Sequence, residues 1–294
     1  MTAPVPTSPL ISAEALRTLL AQSPAPVIVD CSFDLADTDA GERGYRAGHL
    51  PGARYAHLER DLSGPKTGAD GRFLGRHPLR ERADYAALMA RWGIAPGTPV
   101  VVYDRQGAMF AARLWWTLRW MGHADVRVLD GGVAAWEAAG EPLEAGDGPA
   151  DQALPPYPAQ PPRMPTVQAE PLRDRLAAAR VIDARAPERF RGDVEPLDKV
   201  AGHIPGARNR FFKNNLQPDG RFKPADQLRA EFAATLDGCP LDSVVHQCGS
   251  GATACHNLLA MEVAGFQATT LYPGSWSEWS ARGDDFPKEK TPAP

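Results

Sequence analysis

Residues 244–261, VVHQCGSGATACHNLLAM, place a cysteine where its chemistry can change. A β-branched run reaches Cys248, and a loop of small residues then leads into an apolar stretch at helical spacing. The amides of a tight loop and the amino-terminal end of a helix both favour negative charge. We therefore expect Cys248 to be a nucleophilic thiolate. We also expect the open backbone of Gly249, Ser250 and Gly251 to admit an anion.

The two halves of the sequence share four features in the same order. Each has a short strand ending in Asp, a Gly-His-Leu/Ile-Pro-Gly-Ala-Arg motif, a strand–loop–helix unit and a closing strand–turn–Trp unit. The motifs stand at residues 48–54 and 202–208, a period much longer than that of solenoid repeats. We predict two tandem domains, residues 1–140 and 166–294, joined by a Pro-rich linker at residues 141–165.

Short apolar strands alternate with helical stretches, such as residues 78–92 and 225–236, within each half. This alternation predicts an α/β fold in which each domain has a mainly parallel sheet flanked by helices. Sites in such sheets form at the carboxyl ends of strands, which is where Cys248 lies. The first half has Asp104 at the equivalent position, and a carboxylate cannot perform thiolate chemistry. We expect the first domain to be a catalytically silent copy.

The composition limits the partners and the compartment. The chain has 294 residues, is 43% hydrophobic and carries a net charge of −4, which argues against general nucleic-acid binding. No segment is apolar enough to span a membrane, and the first residues do not resemble a signal peptide. Four cysteines in a chain of this length do not suggest a disulfide framework, so we expect a cytoplasmic protein.

These features together resemble the tandem rhodanese family of sulfurtransferases, in both halves and in order. The loop at residues 248–253, Cys-Gly-Ser-Gly-Ala-Thr, is most similar to the Cys-Gly-Ser/Thr-Gly-Val-Thr loop of the 3-mercaptopyruvate branch. The resemblance implies transfer of a sulfane sulfur from 3-mercaptopyruvate to Cys248 as a persulfide. A thiol, a thioredoxin-like protein or cyanide would then accept the sulfur. The resemblance implies no metal and no organic cofactor.

The resemblance also implies residues that bind a small anionic donor. Arg189 matches the family's anion-binding arginine, and a guanidinium can hold a carboxylate through two hydrogen bonds. The loop residues Gly249, Gly251, Ala252 and Thr253 would complete the donor site.

Two further features of the mercaptopyruvate branch concern charge and proton transfer. The branch usually has a second arginine in a Pro-Arg context before the Gly-His motif, whereas residues 195–199 here read Glu-Pro-Leu-Asp-Lys. Lys199 is the candidate substitute. The branch also has a proposed Asp-His-Ser relay, for which the matching positions are Asp39, His49 and Ser250. A Ser hydroxyl beside a thiolate could pass a proton.

Three other functions stand beside this interpretation. The missing second arginine favours thiosulfate as the donor. A non-catalytic binding or regulatory module is another possibility, although silent rhodanese domains usually lack the cysteine. Cysteine phosphatases need an arginine six residues after the cysteine, and that position here is Ala254, which argues against phosphate chemistry.

Several side chains near these motifs have structural alternatives. His49 and His203 occupy the same position of the duplicated motif, so stabilising a turn is the alternative role for His49. We expect Arg185 to be structural and paired with an acidic neighbour. The spacing of His and Cys around Cys248 does not match common zinc sites, so we expect no metal.

Overall fold

The computed structural model describes residues 8–291. The first seven residues, which belong to the segment that does not resemble a signal peptide, lie outside the described part. The described chain forms two units, each with its own parallel sheet and flanking helices. The predicted α/β fold with two such sheets is confirmed. Within the described residues, unit 1 comprises 8–63, 80–163 and 217–222, and unit 2 comprises the rest.

Two short segments belong to the unit of the opposite half of the sequence. Residues 64–79 come from the first half but are part of unit 2, and residues 217–222 come from the second half but are part of unit 1. The prediction of two continuous domains, 1–140 and 166–294, does not include this exchange of segments. Residues 141–163 of the expected linker count with unit 1. Unit 2 therefore receives side chains from two distant parts of the sequence.

Unit 1 is built on five parallel strands. They are β1 (Leu10–Ile11), β2 (Val27–Asp30), β3 (Arg54–Tyr55), β4 (Val100–Tyr103) and β5 (Val126–Leu129). The helices are α1 (Ala13–Leu20), α2 (Ala40–Ala47), α3 (Arg82–Arg91), α4 (Ala111–Trp120) and α5 (Gly132–Ala138). The strand order β1-β5-β4-β2-β3 makes β4 central, and Asp104 follows its carboxyl end.

Unit 2 is built on four parallel strands. They are β6 (Arg180–Asp183), β7 (Arg208–Asn209), β8 (Val244–Gln247) and β9 (Thr270–Leu271). The helices are α6 (Ala169–Asp174), α7 (Pro187–Arg191), α8 (Ala225–Leu236), α9 (Ala252–Val263) and α10 (Ser275–Ala281). The order β7-β6-β8-β9 places β8 inside the sheet, and Cys248 follows it.

The sequence pattern predicts helix bounds with unequal success. The stretch at 225–236 coincides with α8, whereas the stretch predicted from residue 78 becomes helical only at Arg82. The backbone is still extended at Glu81, with φ −60° and ψ 145°, so the helix cannot include the residues before it. Both central strands are buried along their whole length, which explains why they read as continuous apolar runs.

None of the helices within residues 8–291 combines the length and the apolar character that a membrane crossing demands.

Candidate active site

The Cys248 loop, residues 248–251, turns the chain from β8 directly into α9. Gly251 has φ 81°, a left-handed conformation that suits glycine and lets the helix begin at once. The amide of Gly251 donates to Cys248 Sγ at 3.1 Å, and Cys248 is only 2% exposed. The other predicted loop residues, Gly249, Ala252 and Thr253, are also buried here.

Helix α10 holds the outer side of this loop. The amides of Trp276 and Ser277 donate to the carbonyls of Cys248 and Gly249 at 3.0 and 2.9 Å. The Cys248 amide donates to Ser275 Oγ at 3.2 Å. Because these groups are already paired with α10, the loop has a fixed shape, and the cysteine sulfur takes its hydrogen bond from the start of α9.

Arg185 is a buried cation of unit 2 that interacts with the cysteine's charge. It contacts Asp183 at 2.7 Å and Glu195 at 3.3 Å, and its guanidinium lies 4.8 Å from the ring centre of Trp276. Burial opposes its charge, but the negative charges of Asp183, Glu195 and Cys248 raise the pKa of Arg185. The expected structural pairing of Arg185 with acidic neighbours is confirmed.

Arg189, in the last turn of α7, lies beside the Cys248 loop. A β-carbon at position 249 would lie 3.5 Å from both terminal nitrogens of Arg189. Glu195 accepts from Arg189 Nη2 at 2.6 Å and from Nε at 3.3 Å, and Asp198 lies 3.5 Å from Nη2. The predicted anion-binding arginine is thus near the cysteine, and two carboxylates already contact it.

Ser250 has a histidine partner that the sequence analysis missed. Its Oγ lies 2.7 Å from Nδ1 of His77, and both side chains are buried. His77 comes from residues 64–79, the segment of the first half that belongs to unit 2. The sequence predicts His49 as the partner of Ser250, whereas the structure places His77 there.

His49 has the same local surroundings as its counterpart in the other unit. His49 Nδ1 lies 2.9 Å from the Tyr45 carbonyl and its ring stacks on Tyr45. His203 Nδ1 lies 2.8 Å from the Phe190 carbonyl and stacks on Phe190 in the same way. The shared histidine therefore ties the Gly-His motif to the preceding helix in each unit. Asp39 is an exposed residue just before α2 of unit 1.

Arg76 is a second cation that the sequence analysis missed. Its amide donates to Ser277 Oγ at 3.1 Å, and its Nε and Nη2 contact the Asp198 carboxylate at 3.1 and 3.3 Å. A β-carbon at position 249 would lie 2.6 Å from Arg76 Nη2. Gly75 allows this approach: its φ is 105°, and a β-carbon there would crowd the turn before α10. In the sequence, the arrangement shows only as the tripeptide Gly75-Arg76-His77.

A cavity of about 550 Å³ in unit 2 is lined by Arg76 and Asp198. Residues 197–200 form one side of it, and Ser277 and Ala281 of α10 line another. Lys199, the predicted substitute for the second arginine, is exposed and also lines this cavity.

Within the part of the chain that the structure describes, no cluster of three or more His, Cys, Asp or Glu residues could hold a metal ion. Cys255, in α9, instead donates its thiol to the Gly251 carbonyl at 3.2 Å.

The rhodanese-like domain family matches residues 12–139 and 168–282. The chain belongs to the rhodanese family. The two matches fall in the two halves that share the duplicated motif, and the second includes the Cys248 loop.

Named relatives of this rhodanese-family chain include both kinds of sulfurtransferase. It is 46% identical over 277 residues to the probable 3-mercaptopyruvate sulfurtransferase of Pseudomonas aeruginosa, covering 92% of this chain and 94% of that protein. It is 40% identical over 290 residues to the putative thiosulfate sulfurtransferase SseB of Mycobacterium tuberculosis, with the same coverage. The structure of 3-mercaptopyruvate sulfurtransferase from Leishmania major matches with a TM-score of 0.82 and 30% identity, covering 95% of this chain and 76% of that one.

Proposed function

We propose that this chain is a sulfurtransferase that moves a sulfane sulfur from 3-mercaptopyruvate, through a persulfide on Cys248, to a thiol or cyanide. One observation carries the proposal. Cys248 stands at the amino-terminal end of α9, its sulfur accepts a hydrogen bond from the Gly251 amide, and the guanidinium of Arg189 lies beside the adjoining Gly249. The helix start and the guanidinium both favour negative charge, so this position attracts an anionic donor.

The first half-reaction forms the persulfide. The Cys248 thiolate attacks the sulfur of 3-mercaptopyruvate, and the carbon–sulfur bond breaks. The bonding electrons pass to the departing carbon, which forms the enolate of pyruvate. The donor thiol loses one proton and the enolate gains one to become pyruvate, so protons balance in this half-reaction. Covalent catalysis of this kind divides one transfer into two easier steps and gives ping-pong kinetics.

His77 and Ser250 are the groups that we propose for moving this proton. Their hydrogen bond of 2.7 Å can pass a proton between the imidazole and the hydroxyl beside the cysteine. His77 thus takes the role that the sequence analysis gives to His49, whose Nδ1 is engaged with the Tyr45 carbonyl.

The second half-reaction returns the cysteine to its thiolate form. A thiolate acceptor, such as a small thiol or a thioredoxin-like protein, attacks the outer sulfur and the sulfur–sulfur bond breaks. Cyanide would leave as thiocyanate by the same displacement. Neither displacement needs an external oxidant or reductant, so the proposed reaction needs no organic cofactor. A cytoplasmic location remains a prediction from the sequence.

Thiosulfate is the second candidate donor. The position where the mercaptopyruvate branch carries its Pro-Arg arginine is Leu197 in this chain, and the Mycobacterium tuberculosis relative is named as a putative thiosulfate sulfurtransferase. Thiosulfate would give the same Cys248 persulfide and release sulfite.

Steady-state kinetics with the full chain distinguish these donors. We expect a higher kcat/KM for 3-mercaptopyruvate than for thiosulfate, measured with the same thiol acceptor and again with cyanide. A higher kcat/KM for thiosulfate would reject the first candidate. No turnover of either donor, and no sulfur on Cys248, would favour a non-catalytic rhodanese module instead.

A further inference from the structure

Two guanidinium groups from different parts of the sequence approach the same point of the Cys248 loop. Arg76 from residues 64–79 and Arg189 from α7 both lie within 3.5 Å of the place that a β-carbon of Gly249 would occupy. Gly249 has no side chain, so both guanidinium groups can face the loop backbone next to the nucleophile.

One carboxylate of the protein joins these two arginines. Asp198 contacts Arg76 through Nε and Nη2 at 3.1 and 3.3 Å, and it lies 3.5 Å from Arg189 Nη2. Its side chain is 6% exposed. This two-point contact with a guanidinium is the geometry that a bound carboxylate ligand adopts.

We propose that Arg76 and Arg189 bind the donor's carboxylate together, and that Asp198 occupies this position in the free enzyme until the donor displaces it. The inference rests on the proposed function, since it assigns a specificity-determining pair and a competing carboxylate to that same site. Arg76 then supplies the second cation of the site, in place of the arginine that the mercaptopyruvate branch carries at the position of Leu197.

Exchange of one carboxylate for another explains how a buried pair can open. When the donor's carboxylate replaces Asp198, neither arginine is left as an unpaired buried charge, which would be the costly outcome. Burial is the largest influence on Asp198 and raises its pKa, and Glu195 adds to this, despite the opposing charges of Arg76 and Arg189. The ionised Asp198 is therefore held less firmly than two arginine partners alone would suggest.

The segment that carries Asp198 is suited to such a displacement. Residues 193–200 contain no helix or strand, and Val194, Leu197 and Val200 in this segment are exposed. The segment therefore lacks the regular backbone hydrogen bonds that would hold a helix or strand in place. The cavity of about 550 Å³ adjoins Asp198 and gives it space to move.

Alkylation of Cys248 tests the pair without any sulfur transfer. Iodoacetate carries a carboxylate and iodoacetamide is neutral, so the ratio of their second-order rate constants measures anion recruitment at the cysteine. We expect Arg76→Ala to lower this ratio by roughly tenfold or more, as loss of a charge-assisted contact implies. The kcat/KM for 3-mercaptopyruvate should fall by a similar factor, with a smaller change in kcat. Arg76→Lys should lie between Arg76→Ala and the wild type, because it keeps the charge and loses the two-point contact.

The matched control is Arg72→Ala. Arg72 lies in the same segment and pairs with Asp70 and Glu170, so this variant removes an arginine without touching the Asp198 pair. We expect it to keep the wild-type ratio.

Asp198→Asn tests the competing carboxylate. Removing its charge should raise the ratio and the kcat/KM for 3-mercaptopyruvate severalfold, because Asp198 then no longer competes with the donor for the arginines. A fall in both would show that Asp198 only positions Arg76 and would overturn its role as a competitor.

The outcomes separate this inference from the proposed function. Unchanged ratios in both Arg76 variants would reject the arginine pair even if Cys248 still accepts sulfur. An altered ratio together with no sulfur on Cys248 would support the anion site and reject sulfur transfer. If Arg76→Ala does not fold, Arg76→Lys and Asp198→Asn decide the question.

Discussion

The loop after β4 in unit 1 and the loop after β8 in unit 2 follow equivalent central strands, but their amides meet different side chains. In unit 2, the Gly251 amide donates to Cys248 Sγ. In unit 1, the Asp104 carboxylate accepts four backbone amides at 2.8–2.9 Å, those of Gln106, Ala108, Phe110 and Ala111. Each loop gathers amides towards one side chain, and that side chain determines whether the loop can react or only anchors itself.

The charges around the cysteines show the same contrast. Cys31 of unit 1 is buried, and burial together with the negative charges of Asp30 and Asp104 raises the pKa of its thiol well above the usual value. Cys248 instead interacts with the cation Arg185, and the guanidinium of Arg189 lies beside its loop. Burial and nearby carboxylates hold the Cys31 thiol in its protonated form. This contrast agrees with the proposal that unit 2 carries the chemistry and unit 1 is a silent copy.

Cys248→Ser should produce the largest effect on activity. The hydroxyl of serine is far less acidic than a thiol and cannot form a persulfide, so kcat/KM should fall by roughly a thousandfold or more. The melting temperature should stay close to that of the wild type, because a serine fits the same space. Residual activity above one tenth of wild type would mean that another group carries the sulfur.

Asp104→Ala should reverse that pattern. The change leaves four amides without their acceptor, three of them buried, and should lower the free energy of unfolding by about 2–4 kcal/mol. Chemical denaturation measures this loss, and kcat at a temperature where the variant is folded should stay near wild type. A large fall in kcat with unchanged stability would show that the Asp104 loop takes part in catalysis.

His77→Gln separates the relay from the turn histidines. The glutamine can fill the space but cannot carry a proton, so kcat should fall by roughly ten- to a hundredfold with a smaller change in KM. His49→Gln and His203→Gln are the controls, and each should mainly reduce stability, by about 1 kcal/mol for the lost hydrogen bond. The assignment fails if His49→Gln lowers kcat more than His77→Gln.

His246→Val should produce the smallest effect, a change in acid sensitivity. His246 is fully buried in β8 where β4 has Val102, and burial lowers its pKa to about 3. The unfolded chain binds a proton at this histidine below about pH 6.5, so the free energy of unfolding falls by up to about 1.4 kcal/mol for each pH unit as the pH drops from 6.5 towards 3. Denaturation at pH 7.5 and 5.5 should show a smaller loss in the variant than in the wild type. Equal losses would mean that other groups set the slope.

The sequence predicts the features that depend on neighbouring residues. The strand–cysteine–loop–helix unit and the parallel sheets follow from local pattern and from the duplication, whereas Arg189 is indicated by the family resemblance. Residues 64–79 could not be placed in this way, because they have no strand or helix periodicity and pack within a unit formed mainly by the other half. Arg76 and His77 were missed for that reason.

The duplicated Gly-His motif has a structural explanation in both units. His49 stands in a duplicated Gly-His turn, and the matching contact of His203 with Phe190 explains the motif through the fold alone. The acidic partners of Arg189 were also beyond the sequence. Glu195 and Asp198 lie in a segment without regular structure, where spacing does not indicate which side chains turn inward.

The central claim is that only the loop of unit 2 carries sulfur, and mass spectrometry of the full chain tests it most directly. After exposure to 3-mercaptopyruvate without acceptor, the wild type should gain one sulfur atom, located on the peptide that contains Cys248. A later addition of thiol should remove it. Cys248→Ser should gain none, because its hydroxyl cannot form a persulfide. A wild type that gains no sulfur, or a Cys248→Ser variant that gains it elsewhere, would contradict the account.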